Sequence, residues 1–481
     1  MTTDCACAEE TLASAPVRLT AVQRELPGWI ARLETGLTES IRASRENLGH
    51  MEELVLKQTR ELSRQVLAEA AQVKADATPP RCARCGGPLA RLTRGHARTF
   101  ESRFGPVTVR RTRGRCRRCD RWCCPADAAL GLEDTAGYSP SVQEIAALAV
   151  SKLPVAEASA VVERLTGVKL PRATLDREAR RQGARAQAQR DHLDQQMQTP
   201  EGVAQQTREV QQALPLAPFT LIIELDAWNI RERDHWGESA TQRAAGTEPG
   251  RWHWVYGGTC FRLSQRAQTA SGRPVILSRG YVMTRGGIDA LRDQIWAEAS
   301  RHGLGRADDV LIIADGAVWI WNLATDRFPQ ARQRLDAYHA KQHLWAVADA
   351  LHGAGTPAGR AWVEPLLAKL DDSQAPEVIA DLHALLISLD QTRASIVQRE
   401  INYLESHRHR MDYAEGKQRG EPIGSGAMES TCRQYQCRFK RPGQFWSCAG
   451  DEGLMCLETF WRNDRWHLLF PHILHGDPRK N

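Results

Sequence analysis

Two apolar runs with strand character each end in an aspartate. The first, residues 221–226, reads LIIELD, and the second, residues 310–315, reads VLIIAD. Apolar runs of this length are typical of buried strands, so both aspartates are expected at the rim of a sheet, where side chains from separate segments converge. Glu429 comes much later, where Gly424-Ser-Gly opens a segment with helical character. These patterns predict an α/β fold that gathers Asp226, Asp315 and Glu429 from distant parts of the chain.

Each of these acids also has a purely structural explanation. An aspartate after a strand is commonly a turn former or a helix N-cap. Glu429 can pair with Arg433, one helical turn further on. Three carboxylates at one sheet rim can instead hold a pair of divalent metal ions, an arrangement suited to breaking and forming phosphodiester bonds. The combination of the three acids favours the metal-site interpretation.

Length and composition predict a globular protein without a membrane span. A chain of 481 residues, of which 42% are hydrophobic, is long enough for about three domains. No apolar segment approaches the 18 or so residues that cross a bilayer, and no basic start leads into a signal-like apolar stretch. We therefore expect a cytoplasmic protein, associated with the nucleoid in a bacterial cell when bound to DNA, that has no membrane partner.

Positive charge is concentrated in one stretch of the chain. Between Arg81 and Arg121 there are 13 arginines against two acids, Glu101 and Asp120, a net charge of +11, whereas the whole chain carries +6. Arginine suits contacts with phosphate and guanine, so the stretch favours nucleic-acid binding. The alternative is a small module that is merely rich in solvated arginines.

Two Cys-x-x-Cys pairs with a hairpin pattern between them lie inside this basic stretch. Such spacing is typical of a zinc ribbon with one structural Zn²⁺ and four thiolate ligands. Disulfides are the weaker explanation in a cytoplasmic protein. Cys123 and Cys124 are spare thiols nearby. The four predicted zinc ligands are Cys82, Cys85, Cys116 and Cys119.

Helical patterns flank the basic stretch, and strands and helices alternate after it. Residues 27–73 predict an amphipathic helix or helix pair that packs or dimerises. Residues 139–183 predict three helices, and the third carries several arginines, as in a helix-turn-helix that reads a DNA groove. Further along the chain, the pattern predicts strands at residues 219–228, 252–263, 274–283 and 310–315, a helix at 288–302, and a helical insertion from about residue 357 to 411.

Several motifs resemble those of the DDE transposases of bacterial insertion sequences, of the ISKra group and, distantly, Mutator-like transposases. The resemblance extends from the zinc-ligand cysteines to about Trp466. Besides the cysteine pairs, the motifs are Asp315-Gly-Ala-Val-Trp-Ile-Trp321, Asp336-Ala-Tyr-His339, Pro422-Ile-Gly-Ser-Gly-Ala-Met-Glu-Ser430 and Arg438-Phe-Lys-Arg-Pro-Gly-Gln-Phe-Trp446.

The resemblance implies a multidomain α/β fold with an RNase H-like catalytic core. That core has a mixed sheet, helices on both faces and an all-helical insertion. It is preceded by an N-terminal helix, a zinc ribbon and a helix-turn-helix-like region. The expected domains are residues 1–78 (helical, possible dimerisation), 79–135 (zinc ribbon), 136–212 (helix-turn-helix-like region and linker), 213–352 (first part of the core), 353–420 (insertion) and 421–481 (last part of the core).

The resemblance also assigns the catalytic residues. Asp226, Asp315 and Glu429 correspond to the three acids that hold two Mg²⁺ or Mn²⁺ ions, and His339 corresponds to a histidine that follows the second acid. The first acid is open, because the family favours Asp-Gly at this position, whereas this chain has Asp226-Ala. Glu224 and Asp234 are therefore rival carboxylates.

The implied function is metal-dependent DNA cleavage and strand transfer by a transposase that binds the ends of its insertion sequence. No phosphate-loop motif suggests a nucleotide cofactor. The expected partners are double-stranded DNA, both element ends and target, and further copies of the chain in a homodimer or larger assembly. The alternatives are a non-catalytic zinc-dependent DNA-binding regulator and a nuclease without strand transfer. Side chains expected to bind DNA are Arg110, Arg111, Arg113, Arg177, Arg180, Arg181, Arg433, Arg438 and Lys440.

Overall fold

The computed structural model describes residues 18–43, 45–132, 137–211, 213–233, 238–247 and 251–471. The chain divides into two compact units, residues 1–149 with 155–175, and residues 150–154 with 176–481. Both contain helices and strands, so the mixed α/β class is confirmed. Every helix within the described residues is too short or too polar to cross a lipid bilayer.

The first unit combines helices with a small antiparallel sheet. Its elements are α1 (Thr20–Arg42), α2 (Leu48–Ala77), β1 (Leu89–Ser102), β2 (Gly105–Cys116), β3 (Arg121–Cys123), α3 (Pro125–Ala129), most of α4 (Pro140–Lys152) and α5 (Val155–Thr166). Helix α6 (Arg172–Gln196) begins in this unit and continues into the second.

Helices α1 and α2 confirm the helix pair predicted from the apolar spacing. Asn47 caps α2 by accepting a hydrogen bond from the Gly49 N–H at 3.0 Å, which satisfies a backbone donor that the helix cannot. The Glu69 carboxylate accepts hydrogen bonds from the N–H groups of Ala21 and Val22 at 2.9 and 3.0 Å. The start of α1 is therefore fixed to the middle of α2.

Strands β1 and β2 form the predicted hairpin between the cysteine pairs. Its turn contains Gly105 at φ 114°, a conformation that glycine adopts without steric cost. Strand β3 pairs with β2 to complete a sheet in the order β1-β2-β3. One side of the hairpin packs against α2, where the apolar cluster includes Ala71, Ala75, Phe100, Val107 and Val109.

The second unit is larger and contains the main sheet. Its elements are α7 (Pro200–Gln211), β4 (Thr220–Glu232), α8 (Ser239–Ala244), β5 (Arg251–Arg262), β6 (Arg266–Gln268), β7 (Pro274–Ile276), β8 (Gly280–Thr284), α9 (Gly287–Arg301), β9 (Asp309–Ala314), α10 (Val318–Arg327), β10 (Arg332–Leu335), α11 (Ala337–His352), α12 (Pro357–Asp371), α13 (Ala375–Leu386), α14 (Gln391–His407), α15 (Tyr413–Gln418), α16 (Gly426–Phe439), α17 (Cys448–Arg462) and α18 (Trp466–Leu469).

The main sheet is mixed and has the strand order β10-β9-β4-β5-β8. Strands β10, β9 and β4 are parallel, whereas β5 and β8 are antiparallel to their neighbours. Side chains alternate along β4. Leu221, Ile223 and Leu225 enter the core cluster that contains residues of α9, α10 and α11. Ile222 faces the opposite side, which carries Ala427 of α16. Helices therefore cover both faces of this sheet.

The predicted strand at residues 274–283 is wrong as a single element. Residues 274–276 pair with β6 in a separate two-stranded hairpin, while residues 280–284 form the edge strand β8 of the main sheet. The Leu277 N–H donates to the Gln265 carbonyl at 2.9 Å, which closes the small hairpin before the chain reaches the main sheet. Ser278 and Arg279 interrupt the apolar pattern at this break, so the sequence itself marks the division.

The insertion is helical, as predicted, and consists of α12, α13 and α14. The Thr356 hydroxyl caps α12 by accepting the Gly359 N–H at 3.1 Å. The Asp390 carboxylate caps α14 by accepting the Arg393 N–H at 3.0 Å. Buried aliphatic residues of all three helices belong to the same core as the sheet. The insertion is thus an integral part of the second unit.

Candidate functional site

The four predicted zinc ligands converge in the first unit. Their sulfur atoms all lie within 4.8 Å of one another, and the Cys85 and Cys116 sulfurs are 3.5 Å apart. Tetrahedral zinc with Zn–S bonds of about 2.3 Å needs sulfur atoms about 3.8 Å apart. Cys82 and Cys85 precede β1, Cys116 is the last residue of β2 and Cys119 lies in the turn that follows it. The pairing of β1 with β2 therefore brings the distant cysteine pairs together. The arrangement fits a structural metal ion.

The thiols of the tetrad differ in acidity. The backbone N–H groups of Cys85 and Arg84 lower the pKa of Cys82 to about 6, and metals bind the thiolate form. Hydrogen bonding with Cys85 raises the pKa of Cys119 to about 12, and burial raises the pKa of the spare thiol Cys123 to about 11. Neither Cys123 nor Cys124 belongs to the cluster.

Asp226 and Asp315 occupy equivalent positions on neighbouring parallel strands. Leu225 of β4 pairs with Ala314 at the end of β9, and each aspartate is the next residue along its strand direction. Burial raises the pKa of Asp226, and the negative charge of Asp315 raises it further. The two carboxylates are therefore close enough to repel each other. The expected strand end at Asp226 is wrong, because β4 continues to Glu232, whereas β9 ends at Ala314. The two aspartates converge because β4 and β9 pair in parallel.

Glu429 lies on α16, which covers the sheet face that carries Asp226. Helix and sheet approach closely at Gly257, the β5 partner of Asp226, where a Cβ atom would come within 2.5 Å of Met428. Burial and the Asp226 charge raise the pKa of Cys432, one turn after Glu429. This turn of α16 therefore faces the first aspartate.

The Glu429 side chain itself points towards solvent. It is 59% exposed and accepts a hydrogen bond from Arg433 at 2.5 Å, which is the structural pairing that its sequence position suggests. Among the described residues, the cysteine tetrad is a tight cluster of metal-binding side chains, but the three acids do not form one. Glu429 thus belongs to the helix that covers the aspartates' face of the sheet, while its own side chain is exposed.

Glu224, a rival for the first acid, has a separate structural role. It is 1% exposed, and its Oε2 accepts the Met428 N–H at 2.7 Å. Burial raises the pKa of Glu224 to about 8. The side chain therefore satisfies a backbone donor in the first turn of α16. Asp234, the other rival, lies outside the described residues.

His339 and Asp336 stand at the start of α11 beside the two aspartates. Asp336 caps α11 through the Tyr338 N–H at 2.7 Å, and its other oxygen accepts the Ser425 N–H at 2.6 Å. Burial opposes ionisation of Asp336, but hydrogen bonds from His339 and Ser425 outweigh it and hold its pKa well below the usual range. One carboxylate thus joins the starts of α11 and α16.

The His339 ring faces three carboxylates. Its Nδ1 lies 3.4 Å from the Asp336 Oδ1. The contact with Asp336 raises the pKa of His339 against the effect of burial, and the charges of Asp315 and Asp226 add to the rise. The raised pKa favours the protonated ring, whose positive charge offsets the repulsion between the two aspartates.

Two side chains near Asp315 were not identified from the sequence. Tyr403 of α14 lies against Gly316 so closely that a Cβ atom there would overlap the tyrosine ring. The Tyr403 ring also stacks on His343 of α11, with ring centroids 3.5 Å apart. Next to it is His407, whose pKa burial lowers to about 4. The i, i+4 spacing of Tyr403 and His407 was visible in the sequence. Their contact with the segment at Gly316 was not, because it joins residues that are far apart in the chain.

The side chains expected to bind DNA differ in their surroundings. Arg110 is exposed on β2, whereas Arg111 pairs with Asp127 at 2.6 Å, and Arg113 lies over the Trp122 ring at 5.0 Å. Lys440 lies 5.6 Å from the centre of the exposed Trp252 ring.

The arginines of α6 and α16 also differ in how far they are exposed. On α6, Arg177 and Arg180 are exposed, and Arg181 pairs with Glu178 at 2.6 Å. On α16, Arg433 is exposed, but Arg438 is buried and donates to the Val150 carbonyl at 2.8 Å. Because Arg438 is buried, it serves in packing and does not form part of a surface that DNA could contact.

No protein-family model matches this chain, and no curated protein matches it.

Proposed function

We propose that the protein is a DDE transposase whose second unit is an RNase H-like catalytic core. The observation that carries the proposal is the pairing of Leu225 with Ala314, which sets Asp226, within β4, beside Asp315 at the end of the adjacent parallel strand β9. Helix α16, which carries Glu429, covers the same face of the sheet. The placement of the three acids on one face of the sheet supports the proposal.

The chemistry of these side chains fits Mg²⁺ or Mn²⁺, which prefer carboxylate oxygens. Asp226 and Asp315 would hold the ions, and Glu429 would complete the site. The exposed pair between Glu429 and Arg433 costs only about 0.5 kcal/mol to break, so a change of rotamer is inexpensive. Two bound ions supply a polarised nucleophile and stabilise the leaving oxygen during phosphodiester cleavage.

The surrounding residues have roles of their own in this proposal. His339 holds positive charge next to Asp226 and Asp315, which lowers their mutual repulsion. Asp336 fixes His339 and the start of α16 together. Exposed arginines of the first unit, such as Arg110, and of α6 would bind the phosphates of the element ends, since phosphate contacts dominate DNA affinity.

The test is an assay of the purified protein with DNA that flanks its coding sequence. A labelled duplex containing the flanking ends is incubated with Mg²⁺, and nicks are mapped at nucleotide resolution. A pre-cleaved end is then incubated with a target duplex. The proposal expects both nicking and joining. Nicking without joining would indicate a nuclease, and neither reaction with intact end binding would indicate a regulator.

A zinc-dependent DNA-binding regulator is the second candidate. It is favoured by the cysteine tetrad, which is the tightest potential metal site in the described residues, together with the basic stretch around it. In this candidate function, Asp226, Asp315 and Glu429 have no catalytic role. It therefore predicts that replacing Asp226 or Asp315 leaves every activity of the protein unchanged.

A further inference from the structure

An open cleft of about 500 Å³ lies between the β6–β7 hairpin and the first turn of α16. Three arginines line it, Arg266, Arg273 and Arg279. They come from a hairpin and a connecting segment for which the sequence suggested no function. A cleft of this volume accommodates a group about the size of a nucleotide.

Two of the arginines are held in place by hydrogen bonds. Arg266 donates from Nη1 to the Gly420 carbonyl at 2.9 Å. Arg279 donates from Nε to the Tyr281 hydroxyl at 2.6 Å and from Nη1 to the Ala427 carbonyl at 3.2 Å. A guanidinium has five N–H donors, so both side chains keep donors for a ligand. Arg273 is exposed where the hairpin turns.

The cleft retains most of this positive charge. Glu224 is the acid among its lining residues, and its Oε2 is engaged with the Met428 N–H. Glu224 is also only 1% exposed. Three guanidinium groups therefore stand against one buried carboxyl group among the lining residues.

The cleft adjoins the candidate catalytic acids. Glu224 stands two residues before Asp226 on the same face of β4, a distance of about 7 Å along a strand. Ser430, which also lines the cleft, directly follows Glu429. A DNA strand whose backbone passes the acids can therefore place its next phosphates in the arginine-lined cleft.

We propose that this cleft binds a phosphate of the DNA strand next to the scissile bond, with Arg266, Arg273 and Arg279 as its ligands. This inference rests on the proposed function, because it takes the strand to lie across Asp226 and Asp315. Arginine pairs with phosphate oxygens through two parallel hydrogen bonds, and such contacts fix the register of the strand without reading its sequence. The cleft positions the strand for cleavage.

The test measures strand binding by the full-length, zinc-loaded protein without Mg²⁺. A fluorescent single-stranded oligonucleotide of mixed sequence is titrated by anisotropy at several salt concentrations between 50 and 200 mM. The variants are Arg273→Gln, Arg273→Lys and the double variant Arg266→Gln with Arg273→Gln. Arg360→Gln, which removes an exposed arginine from α12, is the charge-matched control.

Each lost contact should lower the slope of log affinity against log salt by about 0.7. We expect this decrease for Arg273→Gln, and a decrease about twice as large for the double variant. The slopes for Arg273→Lys and Arg360→Gln should stay close to that of the original protein. Equal slopes for Arg273→Gln and Arg360→Gln would overturn the proposal. Arg273 is exposed, so this comparison does not depend on a variant that disturbs folding.

Inorganic phosphate distinguishes a strand site from a site for a small phosphate ligand. Calorimetric titration with phosphate alone should show no saturable binding below about 1 mM. Tight binding that disappears in Arg273→Gln would overturn the strand proposal. Because none of these measurements requires cleavage, an inactive acid site leaves their outcome unchanged. Failure of the proposed function and failure of the cleft are therefore distinguishable.

Discussion

Glu224 accepts the Met428 N–H at 2.7 Å, which joins the strand that carries Asp226 to the helix that carries Glu429. The contact is buried and lies on the sheet face that α16 covers. The position of Glu429 relative to Asp226 therefore depends on Glu224, whose own side chain is buried. Glu224 and Asp226 lie two residues apart on one strand but have different environments.

Substitutions at these two positions should affect cleavage to very different degrees. Asp226→Asn removes a metal-binding oxygen, so we expect Mg²⁺-dependent nicking to fall by about 10³-fold or more, as several kcal/mol of transition-state stabilisation are lost. Glu224→Gln keeps an acceptor for the Met428 N–H and mimics the protonated form, so nicking should persist. DNA binding should be retained in both. The reverse pattern would identify Glu224 as the first acid.

The zinc site should contain one ion per chain and depend on four cysteines. Cys116→Ser should abolish zinc binding and unfold the ribbon, because metal binding supplies much of the folding energy of such modules. Cys123→Ser, which changes a neighbouring thiol outside the tetrad, is the matched control and should retain zinc. Elemental analysis measures the stoichiometry, and X-ray absorption should give Zn–S distances of about 2.3 Å. Zinc loss in both variants would contradict the assignment.

The insertion should position Asp315 through the contact between Tyr403 and Gly316. Gly316→Ala forces a Cβ atom into the tyrosine ring, and overpacking of this kind costs about 1–3 kcal/mol. We expect a lower free energy of unfolding in urea and reduced nicking. Gly426→Ala is the matched control, because no atom lies within 4 Å of the added Cβ, so its stability should be unchanged or slightly higher. Similar losses in both variants would argue against the contact.

Local patterns were sufficient to predict the strands that position the aspartates. Apolar runs identified β4 and β9, and Asp315 marks the end of β9, but β4 continues beyond Asp226 to Glu232. The proximity of Asp226 and Asp315 follows from the parallel pairing of the two strands, in which Leu225 lies opposite Ala314. The cysteine spacing identified the tetrad in the same way, since the ribbon hairpin is itself a local structure.

Contacts between distant segments could not be predicted from these patterns. The contact of Tyr403 with Gly316 depends on how the insertion packs, and the burial of Arg438 depends on its contact with Val150. In the sequence, Arg438 resembles the exposed Arg433, and only tertiary packing distinguishes them. The β6–β7 hairpin was missed for a different reason: the polar residues Ser278 and Arg279, which separate β7 from β8, were included in one predicted strand.

Arg110 and Arg111 are neighbours on β2 but should act differently in DNA binding. Arg110 is exposed, so Arg110→Gln should lower the salt slope of duplex binding by about 0.9 without changing stability. Arg111 is only 12% exposed and pairs with Asp127, so Arg111→Gln should destabilise the ribbon instead. Anisotropy titrations at several salt concentrations and thermal unfolding separate these effects. A lower slope without destabilisation for Arg111→Gln would show that it also contacts phosphate.

The ion pair of His339 with Asp336 should make stability depend on pH in a defined direction. The pKa of His339 is raised in the folded state, so its stabilising contribution is fully present below the unfolded pKa of about 6.5. It disappears as the pH rises through the folded pKa. His339→Gln should therefore reduce the free energy of unfolding at pH 6 by about 0.5 kcal/mol, a value kept small by solvent screening of a half-exposed ring. At pH 9 the variant and the original protein should be equally stable in urea. A constant difference at both pH values would mean that His339 stabilises α11 by packing, and that its charge does not act on the neighbouring carboxylates.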